Sequence, residues 1–347
     1  MRNPVSYRPR RAKLAALIGA ATLALLASAC GGEGLTSGGG NTVRIAYQVI
    51  PNSAPIVKHE GWLEDEIDMD VEYRQYDAGA DVNQAVAAGS VDIGLAGSTL
   101  VANGIATGLP YEVPWIYDVI GDNEALVAQD GISSIEDLKG KKVATPLGST
   151  TQYSLVEALK QAGVDPGDVK ILDMEPPDAL AAWKNGSIDA AYVWHPTLQQ
   201  MIDDGGKVLV TSGDLAKEGV VTADLGIVSS DFAKEHPDVV SAWLQAENRG
   251  VQLIKRDPQK AAQIIADEFD TDAATIKTQM KDLIILPGGK QLSAEHLGTS
   301  DNPGAMSDTL FTTAEFLEDN DLIDDVPGQT TYDDVVDPSY LQHALER

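Results

Sequence analysis

The chain has 347 residues and a strongly acidic composition, with 25 lysines and arginines against 53 aspartates and glutamates. The formal charge of −28 argues against nucleic acid or an anionic lipid surface as a partner, because both repel an acidic protein. Cys30 is the only cysteine, so no intramolecular disulfide can form.

Residues 1–29 have the pattern of an export signal, with five cationic side chains ahead of an apolar run at residues 14–26. That run is too short to span a bilayer as a stable helix. It ends in the sequence ASAC at residues 27–30, which resembles the lipobox of bacterial lipoproteins, although an alanine stands where a leucine is usual. The resemblance implies cleavage before Cys30 and lipidation of its thiol. The alternative is an ordinary secretory signal with an incidental cysteine.

Residues 30–41 are rich in glycine and are predicted to be a flexible tether. Without residues 1–29 the chain has a formal charge of −33, because five positive charges and no negative ones are lost. We predict a monomer, lipid-anchored through Cys30 to the outer face of the cytoplasmic membrane, in the periplasm or at the cell surface. About 300 residues remain for folding, which suits two domains.

From residue 42 on, strand-like and helix-like stretches alternate, which predicts an α/β fold. The alternation also repeats, with offsets of 97 to 98 residues between matching stretches: 43–48 with 141–146, 71–77 with 169–175, and 89–92 with 186–189. The repeat predicts two α/β lobes of similar plan. By the same offset, Trp194 takes the place in the second lobe that Gly97 holds in the first.

Residues 141–163 read as a strand, a turn rich in hydroxyl groups, and a helix that ends at Gly163. Ser149 or Thr150 is suited to cap the helix. A helix amino terminus preceded by hydroxyl groups is also suited to bind an anion, because its first N–H groups lack partners and the helix dipole is positive there. Capping alone remains the simpler interpretation of these residues.

Two chain crossings are predicted to connect the lobes. Residues 124–129 read as the strand that leaves the first lobe, and residues 220–229 as a strand that returns to it. The predicted domains are therefore 42–127 with 225–347 for lobe 1, and 128–224 for lobe 2. After residue 237, helices are predicted at 238–255, 258–267, 271–283 and 306–318, and the acidic residues 318–337 are predicted to be a solvated surface with loops.

In open α/β sheets, ligands bind at the carboxyl ends of the strands. The residues predicted at those ends are Gln48, Ser98, Thr99, Ser149, Thr150, Thr151 and Trp194. Hydroxyl groups and a helix amino terminus suit an anion, Trp194 offers a flat apolar wall, and Asp224 at the returning strand could receive a cation. Together they favour a small zwitterion held in a cleft that closes by hinge motion.

Residues 43–340 resemble the taurine-binding proteins of bacterial ABC importers, within the larger group that binds aliphatic sulfonates and nitrate. The resemblance is carried by short stretches along the chain: AYQ at 46–48, YDAGA at 76–80, NEALV at 123–127, STTQYSL at 149–155, PP at 176–177 and AYVW at 191–194. It implies the type II periplasmic-binding-protein fold, two doubly wound lobes joined by a two-segment hinge. It also implies delivery of taurine to a membrane permease driven by an ATPase, without a cofactor or a metal.

The resemblance further implies roles for the site residues. The sulfonate would bind at Ser149, Thr150 and Thr151, with Ser98 or Thr99 opposite. Trp194 would pack on the two methylene groups of the ligand. Asp224 would hold the ammonium, Glu124 is a second candidate for that role, and Gln48 would stand at the cleft lip.

His195 departs from the family pattern, which has a small residue there. We predict a neutral surface residue fixed in place by Pro196, and the alternative is an anion contact when the ring is protonated.

Three other functions stay open from the sequence. The ligand could be another sulfonate, nitrate or a thiamine-precursor pyrimidine. The chain could also be an enzyme, although it has no cysteine after Cys30, and its five histidines show no metal-ligand spacing. A sensor or adhesive lipoprotein without a transporter is the third alternative.

Overall fold

The computed structural model describes residues 41–346, which contain two five-stranded sheets with helices packed on their faces. The predicted signal peptide, Cys30 and residues 31–40 of the predicted tether lie outside the described residues. Among residues 41–346, no helix combines the length and the apolar character that crossing a membrane requires.

The amino-terminal part of the described chain supplies four strands and three helices. They are β1 (Thr42–Tyr47), α1 (Ala54–Glu60), β2 (Asp70–Gln75), α2 (Gly79–Ala87), β3 (Ile93–Gly97), α3 (Ser98–Ala106) and β4 (Tyr111–Val119).

The middle part continues with β5 (Glu124–Ala128), β6 (Lys142–Thr145), α4 (Thr150–Gln161), β7 (Lys170–Asp173), α5 (Pro176–Lys184), β8 (Ala190–Trp194), α6 (Thr197–Asp203), β9 (Lys207–Thr211) and α7 (Ser212–Lys217). Short 3-10 helices lie at Ile135–Leu138 and Pro166–Asp168.

The carboxyl-terminal part begins with β10 (Ala223–Ser229) and is otherwise mostly helical. It contains α8 (Ser230–Glu235), α9 (Pro237–Arg256), α10 (Pro258–Phe269), α11 (Ala273–Gln279), α12 (Gly288–Gln291), the short pair β11 (Gly298–Thr299) and β12 (Asn302–Pro303), α13 (Ala305–Asp319), α14 (Gln329–Val335) and α15 (Ser339–Glu346).

The two large sheets have the same topology. The first has the strand order β2-β1-β3-β10-β4, and the second has the order β7-β6-β8-β5-β9. In each sheet three parallel strands are followed by a strand that runs antiparallel to them, β10 in the first and β5 in the second. The predicted α/β fold and its internal repeat are therefore confirmed.

The two antiparallel strands are exchanged between the halves of the chain. β5 pairs with β8 and β9 in the second sheet, although the predicted boundary at 127/128 left most of it in lobe 1. β10 pairs with β3 and β4 in the first sheet, so Ala223 and Asp224 also fall on the other side of the predicted boundary at 224/225. Strand pairing decides the sheet to which a crossing segment belongs, and composition carries no signal for it.

The acidic carboxyl-terminal region differs from the prediction, because part of residues 318–337 is helical rather than loop. Helix α14 covers Gln329–Val335, and its Tyr332 is fully buried. The Tyr332 ring packs edge-to-face against Phe311 of α13, with centroids 5.6 Å apart. Burial of this one aromatic side chain stabilises a short helix whose other residues are mostly polar.

Apolar residues on both faces of each sheet form the core. Trp115 and Trp243 lie at the centre of the first cluster, where α9 packs on the sheet. On the second sheet, Leu155 and Leu159 of α4 bury one face, and Trp183 of α5 with Met201 of α6 buries the other. These layers position the carboxyl ends of β3 and β8 and the amino terminus of α4 around one cavity.

Candidate ligand-binding site

A narrow cavity brings together six of the residues predicted for the site: Gln48, Glu124, Ser149, Thr150, Trp194 and Asp224. The two sheets contribute from both sides, since Gly97 at the end of β3 and Trp194 at the end of β8 both line it. A Cβ atom added to Gly97 would lie 2.9 Å from Cγ2 of Thr150. The end of β3 and the start of α4 are therefore in close contact across the cavity, and a side chain at residue 97 would not fit between them.

The repeat places two carboxylates at matching positions. Asp224 pairs with Gly97 across β10 and β3, and Glu124 pairs with Trp194 across β5 and β8. Gly97 and Trp194 are thus equivalent, as the sequence offset predicts. The sequence therefore brings one acid from each sheet to a shared cavity.

The amino terminus of α4 lies at the cavity wall. Ser149 is its N-cap: its hydroxyl accepts from the Gln152 N–H at 3.2 Å and donates to the Pro146 carbonyl at 2.6 Å. Among the described residues, no acceptor binds the backbone N–H of Thr150 or Thr151. The capping prediction for Ser149 is confirmed, and two unpaired N–H groups remain at the positive end of the helix.

The hydroxyl of Thr150 donates to Oε1 of Glu124 at 2.7 Å, and the Ser212 hydroxyl donates to Oε2 at 3.3 Å. Burial and the charge of Asp224 raise the pKa of Glu124 to about 8, against the lowering effect of these two donors. Glu124 is therefore mostly protonated at neutral pH, and it can then donate a hydrogen bond into the cavity.

Asp224 is 6% exposed, and no described residue forms a hydrogen bond or an ion pair with its carboxylate. Burial raises its pKa to about 7. A buried carboxylate without a partner is costly, which makes Asp224 the strongest cation-binding candidate of the cavity.

Three predicted residues lie close by but do not line the cavity. The hydroxyl of Ser98 accepts from the Ala223 N–H at 3.3 Å, and that of Thr99 is buried without a partner. The Thr151 hydroxyl is bonded to Thr145 and Ser149, at 2.8 and 2.7 Å. Gln48 does line the cavity, but it is buried rather than at a lip, and its amide donates to the Leu95 carbonyl at 3.2 Å.

The prediction that His195 is a surface residue is wrong. The side chain is 5% exposed, and its Nε2 lies 3.3 Å from Oδ2 of Asp282. Asp282 follows α11, and its backbone carbonyl packs against Gly121. The segment that follows α11 therefore packs over His195, and the sequence around His195 carries no signal of this distant contact.

Sequence reasoning missed Asp118, which lies on β4 directly opposite Asp224. It is fully buried, and neither of its carboxylate oxygens accepts a hydrogen bond from a described residue. Burial and then the charge of Asp224 raise its pKa well above the usual range. Asp118, a charged residue within the apolar run VPWIYDV of β4, was the available signal.

Comparison with known proteins gives relatives that bind sulfonates. The chain is 40% identical over 204 residues to the taurine-binding periplasmic protein of Escherichia coli K12, an alignment that covers 59% of this chain and 63% of that protein. Among solved structures, the alkanesulfonate-binding protein SsuA of Xanthomonas axonopodis, bound to MOPS, superposes with a TM-score of 0.70 at 21% identity, covering 83% of this chain and 95% of SsuA. The predicted periplasmic-binding-protein fold is confirmed.

A desulfurization enzyme, DszB, has the same fold, with a TM-score of 0.61 at 14% identity over 88% of this chain and 99% of that one. The fold alone thus serves both binding proteins and an enzyme. The model of the family described as "NMT1/THI5 like" matches residues 51–261, which is more than half of the chain. The protein belongs to the NMT1/THI5-like family.

Proposed function

We propose that the protein is the extracytoplasmic substrate-binding component of an ABC importer, and that it captures taurine in the cavity between its two sheets and delivers it to a permease with its ATPase. The observation that carries this proposal is the pairing of opposite recognition groups. The backbone N–H groups of Thr150 and Thr151 and the carboxylate of Asp224 have no partner among residues 41–346, and Thr150 and Asp224 line the same narrow cavity.

The sulfonate is assigned to the α4 end of the cavity. The backbone N–H groups of Thr150 and Thr151 supply donors at the positive end of the helix dipole. The hydroxyls of Ser149 and Thr150 are engaged by Pro146 and Glu124, so they orient the turn rather than bind the ligand. Protonated Glu124 adds a neutral donor beside the anion, where an ionised carboxylate would repel it.

The ammonium is assigned to Asp224, and Trp194 is assigned to the two methylene groups. A charge-assisted hydrogen bond to a buried carboxylate contributes about 1.5–3 kcal/mol, which corresponds to a factor of roughly ten or more in affinity. Nitrate and simple alkanesulfonates lack the cation and would leave Asp224 unpaired. This difference favours taurine over those ligands.

Binding without catalysis is the favoured activity. The curated relative named above is a binding protein, whereas the likeness to DszB is at the level of fold. The only cysteine in the sequence, Cys30, is assigned to the lipid anchor. A cysteine nucleophile is therefore not available in the domain that contains the cavity.

The anchor itself is part of the proposal. Lipidated Cys30 and the glycine-rich tether would keep a monomeric binding domain at the outer face of the cytoplasmic membrane. We expect Cys30→Ser to move the protein from the membrane fraction to the soluble exported fraction. Unchanged membrane association of the variant would contradict the anchor.

A thermal-shift panel of taurine, hypotaurine, isethionate, ethanesulfonate, nitrate and β-alanine tests the ligand assignment. Taurine is expected to give the largest stabilisation, because it alone offers a full sulfonate together with an ammonium. A ligand without an amine that stabilises the protein more than taurine would contradict the proposal. Formation of an altered product from taurine would contradict the binding role.

A further inference from the structure

Asp118 and Asp224 form a carboxyl pair beneath the cavity. Asp118 on β4 lies directly opposite Asp224 on β10 in the antiparallel register. Directly opposed residues in such a pair project their side chains to the same face, with Cβ atoms about 4.5–5.5 Å apart. Asp224 lines the cavity and Asp118 does not, so Asp118 lies behind Asp224 as seen from the ligand.

Among residues 41–346, no positively charged group compensates the charge of the pair. Among the described ion pairs, none involves Asp118, Asp224 or Glu124. The groups that act on Asp118 are Asp224 on β10, Glu124 on β5 and the amide of Asn52 ahead of α1. The Nδ2 of Asn52 is buried and has no hydrogen-bond acceptor of normal geometry.

Asp118 and Asp224 cannot both be ionised in this buried site. Two neighbouring carboxylates in a low-dielectric site cannot both ionise near neutral pH, and they titrate as a pair that shares a proton. Asp118 is 0% exposed, whereas Asp224 reaches the cavity, where a cation can approach. The proton therefore belongs on the enclosed member of the pair.

Burial and the charge of Asp224 both raise the pKa of Asp118, and the amide of Asn52 opposes this increase. The same burial raises the pKa of Asp224 to about 7. Above that pH the pair holds one proton and one negative charge, which agrees with the geometric argument.

We propose that Asp118 is a positioning residue that stays protonated, donates a hydrogen bond to the Asp224 carboxylate and limits the cation site to a single negative charge. This inference rests on the proposed binding of taurine through Asp224. A hydrogen bond from Asp118 orients the Asp224 carboxylate with its free lone pairs toward the cavity. The site then matches a ligand group with one positive charge, such as a primary ammonium.

Asparagine variants of Asp118 and Asp224 separate the positioning role of the first residue from the cation-binding role of the second. Asparagine has no charge and retains an N–H donor, so Asp118→Asn imitates the protonated acid and is expected to keep taurine affinity within about threefold of the wild type. Asp224→Asn removes the charge that binds the ammonium, and is expected to weaken binding at least about tenfold. Equal large losses in the two variants would overturn the proposal.

Glu112→Gln is the matched control for these variants. Glu112 lies on the same strand as Asp118, and burial raises its pKa as well. Its side chain does not line the cavity, and it accepts a hydrogen bond from the Ser230 hydroxyl at 2.8 Å. The control is expected to leave taurine affinity unchanged.

Carboxyl carbon-13 NMR of protein labelled at aspartate shows directly whether an aspartate is protonated, with or without taurine; the wild type gives this result, and the Asp118→Asn variant assigns the resonance. At about pH 8, one unit above the pKa of Asp224, one aspartate carboxyl resonance is expected in the protonated range. That resonance is expected to be absent from Asp118→Asn. Ionisation of every aspartate at this pH would overturn the inference.

The two proposals fail in different ways. If wild-type protein does not bind taurine, the proposed function is wrong, whereas a protonated Asp118 would still be seen by NMR. If taurine binds while Asp118 is ionised, only the further inference is wrong.

Discussion

Two carboxylic acids and two hydroxyl residues have different roles in this cavity, because their burial and their hydrogen-bond partners differ. Glu124 has two hydroxyl donors, whereas the carboxylate of Asp224 has no partner among the described residues. Ser149 caps a helix, and the neighbouring Thr150 orients an acid. A residue type therefore identifies a candidate, and its hydrogen-bond partners decide its role.

The raised pKa values predict that taurine and an amine-free sulfonate respond to pH in opposite directions. Asp224, with a pKa of about 7, must lose its proton to bind an ammonium, so taurine affinity is expected to rise between about pH 6 and about pH 8. Ethanesulfonate gains nothing from that charge, and it is repelled as Asp224 and Glu124 ionise, so its affinity is expected to fall. Isothermal titration calorimetry at several pH values measures both trends. Parallel trends for the two ligands would contradict the assignment of the ammonium to Asp224.

The sequence predicted the position of four cavity residues, because each lies at the end of a strand or helix. Glu124, Thr150, Trp194 and Asp224 lie at or next to an end of β5, α4, β8 and β10, and all four line the cavity, while their contact with a ligand stays a prediction. Asp118 could not be assigned in this way, because its position depends on pairing with a strand more than 100 residues later.

At the scale of elements, α4 supplies the backbone N–H groups of the proposed anion site. Its N-cap, its position after β6 and its end near Gly163 were all predictable, because capping and apolar spacing are local signals. Helix α14 was not predictable in the same way, because the buried Tyr332 packs on another helix. Local chemistry specified the first element and tertiary packing specified the second.

A proline at the first position of α4 isolates the contribution of one N–H group. Ser149 has an extended backbone, with φ −82° and ψ 168°, which a following proline permits, and proline is well tolerated at the first helical position. Thr150→Pro is therefore expected to bind taurine about tenfold more weakly than Thr150→Ala, since a hydrogen bond to an anion contributes about 1.5–3 kcal/mol. Calorimetry measures the ratio, and the alanine variant accounts for the lost hydroxyl. Equal affinities of the two variants would show that the Thr150 N–H does not contact the ligand.

At the scale of the whole molecule, the two sheets repeat one topology and meet at a shared cavity. The repeat offset predicted this plan because equivalent strands keep their spacing along the chain. The predicted boundaries at 127/128 and 224/225 cut through β5 and β10, because a crossing strand has the same composition whichever sheet it joins.

Closure of the two halves is expected to be sensitive to one glycine. Gly97→Ala would place a Cβ atom 2.9 Å from Thr150 Cγ2 across the cavity, closer than side chains normally approach. We expect about tenfold weaker taurine binding with little change in the unfolding temperature of the free protein, because the clash arises between the halves. Gly289→Ala, where an added Cβ meets nothing within 4 Å, is the control. Unchanged taurine affinity in Gly97→Ala would show that the halves do not close this tightly on the ligand.

The recognition of a ligand with two opposite charges is tested most directly by a cycle of two proteins and two ligands. Calorimetry of wild type and Asp224→Asn with taurine and with ethanesulfonate separates the ammonium contribution from every other contact. Wild type is expected to prefer taurine by at least about tenfold, and the variant is expected to lose that preference. A preference for taurine that persists in Asp224→Asn would contradict the account.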